Sequence, residues 1–512
     1  MSETGTIDLS EIEDSEEGKS LYPFQEASIQ QISDKLNKLE DGQNVLFQLP
    51  TGGGKTVIFS EITRRYIKST GKKVLILTHR IELCKQTSRM LSEFKVNNMI
   101  IDSKVKSISD GNDFVAFVAM VETLNNRLQE EKITLNNVGL VIVDEAHYNS
   151  FRKLFKYFEN VNILGVTATP LSSSIKLPMN ENYEELVIGE SISSLVLKGY
   201  LSRATTYSYN VSLDTLKVGI NGDYTVKSSE QLYGNYMMQE KLVRAYEEKS
   251  KNKKTLIFNN GIATSYGVYD TFKAAGYEIQ HLDHHAGEQE RREILQWFKE
   301  TPDAILTSVG ILTTGFDEPT VDTIILNRAT RSLALYHQMI GRGSRVTKTK
   351  KNFAVIDLGN NLHRFGLWDS PVDWYHIFQA PHQYYDDLKS DEVIERQFIY
   401  EMPDKLKAKF SKSVDIKLHI KGEYEKAMTF GQHSKVVIQK SIDQHVVMCV
   451  ENADDLWDGL DLAKDLKDDI QDRIKHYSYC TIKTTKNYLV WLEEDYYRRL
   501  NSKIRQEFAK ID

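Results

Sequence analysis

Several features that would mark particular protein classes are scarce or missing in this sequence of 512 residues. It contains only three cysteines, Cys84, Cys449 and Cys480, and they lie far apart. Thiolate metal sites and disulfide frameworks need closely spaced cysteines, so neither is predicted, and a reducing compartment suits this composition. No apolar run approaches the roughly 18 residues of a membrane span, and the start of the chain has no apolar signal segment. We therefore expect a soluble, cytoplasmic protein without a membrane partner.

An excess of positive charge is also missing, because 65 lysines and arginines stand against 72 aspartates and glutamates, for a formal net charge of −7. Bulk positive charge therefore cannot hold a nucleic acid, and any such partner must bind in a local groove. The first residues are acidic and polar, which predicts a disordered start at 1–20. With 40% hydrophobic residues the rest can form a core, and the length suits about three domains.

Short apolar runs alternate with charged helical stretches from residue 21 onward, in two series. The first lies at residues 44–49, 73–78, 113–120, 139–144 and 162–169, and the second at residues 254–259, 278–283, 303–309, 322–327 and 353–358. Strands separated by helices form parallel sheets that are covered on both faces. We predict the α/β class, with two tandem parallel-sheet domains and a C-terminal accessory region that is α-rich or α+β. The expected boundaries are 1–20 for the N-terminus, 21–195 for the first domain, 196–245 for a linker with peripheral strands, 246–380 for the second domain and 381–512 for the accessory domain.

A glycine-rich turn, LPTGGGKT, follows the first apolar run at residues 49–56. Consecutive glycines lack Cβ atoms, so their backbone N–H groups can turn toward phosphate oxygens, and the following helix adds its positive dipole end. Lys55 would supply a charge for the β- and γ-phosphates of ATP, and Thr56 a hydroxyl for Mg²⁺. Leu49 replaces the first glycine of the strict pattern and leaves its second half intact. The candidate phosphate-binding residues are Thr51, Gly52, Gly53, Gly54, Lys55 and Thr56.

An acidic turn, VIVDEAH, ends a second apolar run at residues 141–147. It places two adjacent carboxylates at the C-terminal end of a strand, where ligands bind in open α/β sheets. Asp144 would hold Mg²⁺ through water, and Glu145 would polarise the water that attacks ATP. Either segment alone could be a ligand-free turn, but together they predict an ATPase in which Lys55 and Glu145 are catalytic.

Six further polar segments occur in order along the chain. They are LYPFQ at 21–25, LTHRIELCKQ at 77–86, VETLNN at 121–126, TATP at 167–170, LTTGFDEP at 312–319 and YHQMIGRGSR at 336–345. With the two turns above, they make the chain similar to superfamily 2 helicases with a DEAH box, most closely the RadD-like and type III restriction-helicase-like (ResIII-type) branch. The resemblance covers residues 21–368.

This resemblance implies two RecA-like domains and nucleic-acid-stimulated hydrolysis of ATP with Mg²⁺. By the resemblance, ATP hydrolysis would power movement along DNA or its unwinding, so the chain would be a DNA helicase or translocase in repair, recombination or genome processing. Three alternatives stay open: an RNA helicase, the motor subunit of a restriction or defence complex, and an ATP-gated binding module that does not translocate.

The resemblance also assigns roles in the first domain. Gln25 would read adenine, although a lone glutamine can equally be a surface residue. The residues Thr78, His79, Arg80 and Thr123 would contact nucleic-acid phosphates, unless they only form polar helix starts. Thr167 and Thr169 would relay the nucleotide state, or simply cap a strand end.

In the second domain, Asp317 would couple to the ribose or to nearby arginines, and Thr313 or Thr314 would touch the tracked strand. The residues Gln338, Arg342 and Arg345 fall at i, i+4 and i+7, which predicts one helical face. By the resemblance they would complete the ATP site, where an arginine finger contributes about 10³–10⁵ in rate. The alternative for the segment with Asp317 is an ordinary turn between a strand and a loop, and the alternative for the arginine segment is a solvated basic helix face.

Two other clusters receive a structural interpretation. The histidines of HLDHHAG at 281–287 suggest a metal site, but adjacent residues of an extended segment point to opposite sides, so we expect none there. The last part of the chain interleaves aromatic and basic residues, as a platform for single strands would. We favour a buried helix face formed by Leu489, Trp491, Leu492, Tyr496 and Leu500. A protein partner could bind the C-terminal region, and the oligomeric state is not predicted.

Overall fold

The computed structural model of the protein describes residues 20–38, 43–108, 113–313, 315–396, 402–430, 432–481 and 486–511. The predicted disordered segment, up to residue 19, and Thr314 lie outside the described residues. The chain divides into two compact units, one from residues 1–211, 216–230 and 244–389 and one from residues 212–215, 231–243 and 390–512. Among the described residues, no helix is long and apolar enough to cross a membrane.

The first unit opens with a parallel sheet whose seven described strands lie in the order β3-β4-β2-β5-β6-β1-β7. The strands are β1 (Asn44–Gln48), β2 (Lys73–Thr78), β3 (Asn98–Ile101), β4 (Ala116–Met120), β5 (Val138–Asp144), β6 (Asn162–Thr167) and β7 (Glu185–Ile188). The helices that accompany them are α1 (Pro23–Leu36), α2 (Lys55–Thr70), α3 (Ile81–Glu93), α4 (Val121–Gln129), α5 (Arg152–Phe155) and α6 (Ile192–Leu197).

Strand β2 shows why these apolar runs form a sheet that is buried on both faces. Val74 and Ile76 belong to one hydrophobic cluster, and Leu75 and Leu77 belong to another. Because successive side chains of a strand point to opposite faces, an unbroken apolar run supplies a core on each side. The polar residues that follow each run are thereby placed at the carboxyl edge of the sheet.

A second parallel sheet in the same unit has six described strands in the order β10-β11-β9-β12-β13-β8. The strands are β8 (Arg203–Ser208), β9 (Thr255–Asn259), β10 (Ile279–Leu282), β11 (Ile305–Val309), β12 (Thr323–Asn327) and β13 (Asn352–Asp357). The helices of this part of the chain are α7 (Val226–Tyr233), α8 (Tyr236–Ser250), α9 (Ile262–Ala274), α10 (Glu288–Glu300), α11 (Leu333–Gly341), α12 (Asn361–Phe365), α13 (Trp374–Gln379) and α14 (Pro381–Asp386).

The predicted fold class is confirmed, since all ten apolar runs are strands of two tandem parallel sheets. No separate sequence signal marks β3 and β7, which are short, and β8 is covered only by the prediction of peripheral strands. Both β3 and β8 consist mainly of partly exposed residues. Strands at or near an edge need less apolar sequence, and therefore leave a weaker pattern.

The second unit is helical in the residues that the structure describes. After residue 390 it contains α15 (Asp391–Arg396), α16 (Asp404–Lys409), α17 (Ile420–Thr429), α18 (Lys435–Asn452), α19 (Leu456–Asp465), α20 (Lys467–Cys480) and α21 (Lys486–Ile511). Leu492, Tyr496 and Leu500 are buried in its own hydrophobic cluster, as predicted for a packed helix face. The prediction was wrong for Trp491, which is 47% exposed because it lies on the outer side of α21.

Candidate functional site

The glycine-rich turn connects β1 to α2 and is shaped to receive phosphates. Gly52 and Gly54 adopt positive φ angles of 91° and 87°, which residues with a Cβ rarely adopt. Helix α2 begins directly after Gly54, so its unpaired N–H groups and positive dipole end face the turn. The half-buried Lys55 Nζ donates to the carbonyl oxygen of Leu49 at 3.3 Å. Burial lowers the pKa of Lys55 despite the opposing charges of Glu145 and Asp144.

Two buried carboxylates lie at the carboxyl end of β5. Glu145 has a φ of 52°, a left-handed conformation that costs about 1–3 kcal/mol for a residue with a side chain. Its N–H donates to Asp144 Oδ1 at 3.0 Å. Burial and the charge of Glu145 raise the pKa of Asp144 to about 7. Burial also works against the ionised form of Glu145, but Lys55 and His147 outweigh it and hold the pKa of Glu145 below its usual range.

One oxygen of this pair has no bonding partner in the described chain. Glu145 Oε2 is buried and accepts no hydrogen bond, although His147 Nδ1 lies 3.5 Å away. An unsatisfied buried carboxylate oxygen costs free energy unless a cation or water meets it. With Asp144 adjacent and Thr56 in the first turn of α2, these residues fit a Mg²⁺ ion and a bound water.

The segment TATP is hydrogen-bonded to the acidic turn. Thr167 Oγ1 lies 3.1 Å from His147 Nδ1 and accepts from the N–H of Thr169, also at 3.1 Å. The N–H of Ala146 donates to the carbonyl of Val166 at 2.9 Å. The hydroxyl of Thr169 is buried without a partner among the described residues. The two turns thus form one bonded unit, which includes His147, a residue that the sequence interpretation quoted but did not assign.

Arg345 joins the second domain to the phosphate loop. Its Nε donates to Asp317 Oδ1 at 2.8 Å, and its NH1 donates to the carbonyl oxygen of Gly52 at 2.9 Å. The buried Gln338 approaches from the same domain, with Nε2 3.4 Å from His147 Nε2. Predicted site residues from segments nearly 300 positions apart therefore meet at one cleft.

The prediction that Gln338, Arg342 and Arg345 share one helical face was wrong. Helix α11 ends at Gly341, and Arg342 is its C-cap, so Arg345 lies on the loop beyond the helix. A glycine at either side of Arg342 favours this early end. Arg345 therefore reaches the phosphate loop from the segment that follows α11, and not from α11 itself.

Arg342 is bound to its own domain. It donates from NH1 to the carbonyl of Phe316 at 2.6 Å and from NH2 to the carbonyl of Thr313 at 2.7 Å. Burial and the charge of Arg345 lower the pKa of Arg342 to about 10. Two of its donors therefore hold the LTTGFDEP turn, while Nε is buried without a partner in the described residues.

Gln25 lies against the phosphate loop at the start of α1. It is 3% exposed, and its Oε1 accepts from the N–H of Tyr22 at 2.9 Å. A Cβ on Gly54 would lie 2.5 Å from Gln25 Nε2, so the amide packs on the loop. The rings of Tyr22 and Tyr200 are 4.5 Å apart, and Tyr22 is 53% exposed. Tyr200 comes from the segment before β8, which had no sequence motif to identify it.

Two of the candidate nucleic-acid contacts have buried hydroxyls that bond internally. Thr78 Oγ1 donates to the carbonyl of Arg80 at 3.1 Å and lies 2.9 Å from Cys84 Sγ. Thr313 Oγ1 donates to the carbonyl of Gly310 at 2.8 Å. The structure does not bring either hydroxyl to the surface, so their contact with a strand gains no support from this placement.

The other candidates of the first domain are half-buried, and both ring nitrogens of His79 are buried. Arg80 is half-buried, and its NH1 donates to the carbonyl of Ile311 at 3.1 Å, while Gln86 Nε2 donates to the carbonyl of Gly315 at 2.8 Å. His79 is half-buried, and burial together with the charge of Arg80 lowers its pKa to about 4. Thr123 lies half-buried in the first turn of α4. The turn after β2 is thus in contact with the second domain.

The histidine cluster after β10 forms hydrogen bonds within the protein. His281 Nδ1 lies 2.9 Å from Ser265 Oγ, and its Nε2 lies 3.0 Å from Asp283 Oδ2. Asp283 also accepts from the N–H of His285 at 2.7 Å. Both nitrogens of His281 are therefore engaged by neighbouring side chains.

Two family models match the chain. One, described as "Type III restriction enzyme, res subunit", matches residues 18–172, and the other, described as "Helicase conserved C-terminal domain", matches residues 237–347. The first covers the phosphate loop, the acidic turn and TATP, and the second covers the turn with Asp317 and the arginines.

Similar proteins come from a phage and from yeast. A "51.5 kDa protein" of a Lactococcus phage is 29% identical over 339 residues, which are 65% of this chain and 70% of that protein. The "Putative ATP-dependent helicase IRC3" of Saccharomyces cerevisiae is 30% identical over 342 residues, which are 63% of this chain and 49% of that protein. The chain thus spans about half the length of the yeast relative.

Among solved structures, a fragment of a putative HsdR subunit of a type I restriction enzyme from Vibrio vulnificus has a TM-score of 0.52. It is 20% identical and covers 65% of this chain and 63% of that chain. At this identity the similarity concerns the fold alone.

Proposed function

Because this chain belongs to the ResIII-type superfamily 2 helicases, we propose that it is an ATP-driven motor that moves along DNA or unwinds it. It would act in repair, recombination or genome processing. The observation that supports the proposal most strongly is the ATP site divided between two domains, in which Arg345 bonds to Gly52 of one domain and to Asp317 of the other.

The divided site gives ATP a way to move the domains. Lys55, Thr56, Asp144 and Glu145 lie on the first domain, and Gln338 and Arg345 lie on the second. Bound ATP would be contacted from both sides, which favours a closed cleft, and loss of the γ-phosphate would remove contacts that hold it closed. Repeated opening and closing would change the spacing of strand-binding turns on the two domains and so produce steps along a strand.

The chemistry at the γ-phosphate follows from the same residues. Mg²⁺, held by Thr56 and through water by Asp144, would neutralise phosphate charge. Glu145 would take a hydrogen bond from the attacking water through Oε2, the oxygen that has no partner in the described chain. Arg345 would stabilise the charge that develops on the transferred phosphoryl group.

DNA is the partner that the comparisons favour, because the family model that matches the first domain is named for a restriction enzyme subunit. The backbone-binding turns by themselves do not separate DNA from RNA, since both present phosphates. An RNA helicase would instead use contacts to the 2′-hydroxyl and would prefer RNA.

The proposal is tested by the ATPase rate of the purified chain with single-stranded, duplex and forked DNA, and with RNA of equal length. We expect stimulation by DNA, and loss of that activity in Lys55→Ala and Glu145→Gln. Lys38, an exposed lysine after α1, offers the matched control Lys38→Ala, which should behave as the unchanged protein. Equal rates with and without any nucleic acid would exclude the proposed motor.

A second candidate is the motor subunit of a restriction or defence complex, which the restriction-subunit match favours. In that case the chain would hydrolyse ATP on DNA but would need a nuclease or methylase partner for its output. Copurification of such a subunit with the tagged chain from its native host would support this candidate. Full DNA unwinding by the isolated chain would favour the first proposal.

A further inference from the structure

Three aromatic rings form a row between the ATP site and the turn that follows β2. The centroid of the Tyr148 ring lies 4.3 Å from that of His147 and 4.2 Å from that of His79, with interplanar angles of 37° and 38°. His147 belongs to the acidic turn after β5, and His79 belongs to the candidate nucleic-acid-binding turn at 78–80. Strands β2 and β5 are neighbours in the sheet, so the row joins two adjacent turns at its carboxyl edge.

The two ends of this row are held differently. His147 lies 3.1 Å from Thr167 Oγ1 and 3.4 Å from Gln338 Nε2, so it contacts both the TATP segment and the second domain. Both ring nitrogens of His79 are buried without a hydrogen-bond partner in the part of the chain that the structure describes. Hydrogen bonds from the described chain therefore do not fix the His79 ring, and its tilted contact with Tyr148 is one of the contacts that position it.

Tyr148 is also bonded to the acidic turn through its backbone. Its N–H donates to the carbonyl of Glu145 at 3.1 Å, next to the carboxylate that would contact the attacking water. The carbonyl of His147 accepts from the N–H of Ser173 at 2.9 Å, which ties the same turn to the segment after TATP. A shift of the acidic turn between nucleotide states would therefore carry the Tyr148 ring with it.

We propose that Tyr148 is a positioning residue that couples ATP binding to nucleic-acid binding, by transmitting movement of the acidic turn to His79 through the contact between their rings. This inference rests on the proposed function, because it requires both ligands. Contacts between aromatic rings are favoured beyond the burial of their surface, and here they act on a His79 ring whose nitrogens have no hydrogen-bond partner among the described residues.

The experiment measures the affinity for a fluorescent single-stranded oligonucleotide with and without a hydrolysis-resistant ATP analogue and Mg²⁺. The ratio of the two dissociation constants is the coupling factor, which for allosteric proteins is about 5–150-fold. We expect the unchanged protein to give a factor in this range, Tyr148→Phe to keep it, and Tyr148→Ala to reduce it below about twofold. Binding of the analogue alone should change by less than about threefold in Tyr148→Ala, because Tyr148 is not assigned a contact with ATP.

Two further variants separate coupling from general damage. Tyr266 stacks on His281 in the second domain, with ring centroids 4.1 Å apart, so Tyr266→Ala removes a similar ring contact away from the ATP site and should keep the coupling factor. Since Tyr148 would act through His79, Tyr148→Ala and His79→Ala combined should reduce coupling no further than either alone.

Each outcome decides the matter. An unchanged coupling factor in Tyr148→Ala would overturn the inference. So would a lower coupling factor that is accompanied by weaker binding of the ATP analogue in the absence of the oligonucleotide. A coupling factor of one in the unchanged protein, with no DNA-stimulated ATPase, would overturn the proposed function as well. A factor of one despite stimulated ATPase would overturn the inference alone.

Discussion

At the scale of single residues, Arg345 and Arg342 show how differently two arginines of one motif can be used. Arg345 bonds to the phosphate loop and to Asp317, whereas Arg342 donates to two carbonyl oxygens of its own domain. A guanidinium can hold two acceptors in fixed directions, and an ammonium cannot. We therefore propose that Arg345 is the arginine finger and that Arg342 stabilises the LTTGFDEP turn.

Replacement of Arg345 should slow hydrolysis more than it weakens ATP binding. We expect Arg345→Ala to lower the DNA-stimulated kcat by about 10³, the lower end for arginine fingers, and Arg345→Lys to recover little of it. Arg292→Ala is the matched control, since its side chain on α10 is 77% exposed. A kcat of Arg345→Ala within about threefold of the control would contradict this assignment.

Asp144 should make the ligand-free protein less stable as pH rises. Its pKa is raised from 3.8 to about 7, so the native state keeps a proton that the unfolded chain loses above about pH 4. Stability is therefore lost as pH rises from about 4 through about 7, and the loss is complete above that range. In Mg²⁺-free buffer, Asp144→Asn should be more stable than the unchanged protein at about pH 8, by about 4 kcal/mol, and nearly equal to it at about pH 4.

Urea unfolding at the two pH values measures this difference. Asp303→Asn, at an exposed carboxylate of the second domain, is the control and should show no such change. If Asp144→Asn is less stable than the unchanged protein at the higher pH, the ionised buried carboxylate does not lower the free energy of unfolding, and the prediction is wrong.

At the scale of elements, the end of α11 packs closely against the phosphate loop of the first domain. A Cβ on Gly341 would lie 2.7 Å from Cβ and Cγ2 of Thr51 in the phosphate loop. In a helix, alanine is favoured over glycine by about 1 kcal/mol, so the substitution should not destabilise α11 itself. Its effect should fall on the contact between the domains.

Gly341→Ala should therefore impair closure without impairing the fold. We expect the DNA-stimulated kcat to fall by about tenfold, while the thermal midpoint stays within about 2 °C of the unchanged protein. Gly287→Ala is the control, because a Cβ added there would meet no atom within 4 Å and its φ is not positive. Equal kcat values for both variants would mean that the domains do not need this close approach.

The central strands could be predicted from the sequence, whereas most of the edge strands and the end of α11 could not. Nine of the ten apolar runs are inner strands, where burial on both faces favours apolar residues, and the tenth forms β10 at the edge of the second sheet. Edge strand β8, with the sequence RATTYS, and the end of α11 carry no such signal. Likewise the glycine-rich and acidic turns are visible as motifs, whereas Tyr200 lies outside every motif, and the ring contacts of Tyr148, which directly follows the acidic turn, depend on the fold.

At the scale of the whole molecule, the last part of the chain has a hydrophobic core of its own. The buried cluster that contains Leu492 and Tyr496 draws all of its members from residues after 401. A buried polar network supports it, in which His445 lies 2.8 Å from Asp469 Oδ2 and 2.9 Å from the Tyr496 hydroxyl. A set of helices with a separate core can fold independently.

A fragment of residues 390–512 leaves out the short segments 212–215 and 231–243 of the second unit but keeps the whole cluster, so it should fold without the two parallel-sheet domains. We expect a helical circular-dichroism spectrum and one cooperative thermal transition. Leu500→Asp, at a fully buried position, should abolish the transition, and Glu494→Asp, at an exposed position of the same helix, should keep it. Gradual, non-cooperative melting of the fragment would mean that these helices depend on the rest of the chain.

If ATP hydrolysis moves this protein along DNA, its ATPase rate must depend on the length of the strand. With single-stranded DNA of increasing length at saturating concentration, a motor spends more cycles per binding event, so the rate should rise and level off only over many binding-site lengths. Lys55→Ala should show no activity at any length. A rate that is the same for every length beyond one binding site, or that no DNA raises, would show that the protein is not a motor on DNA.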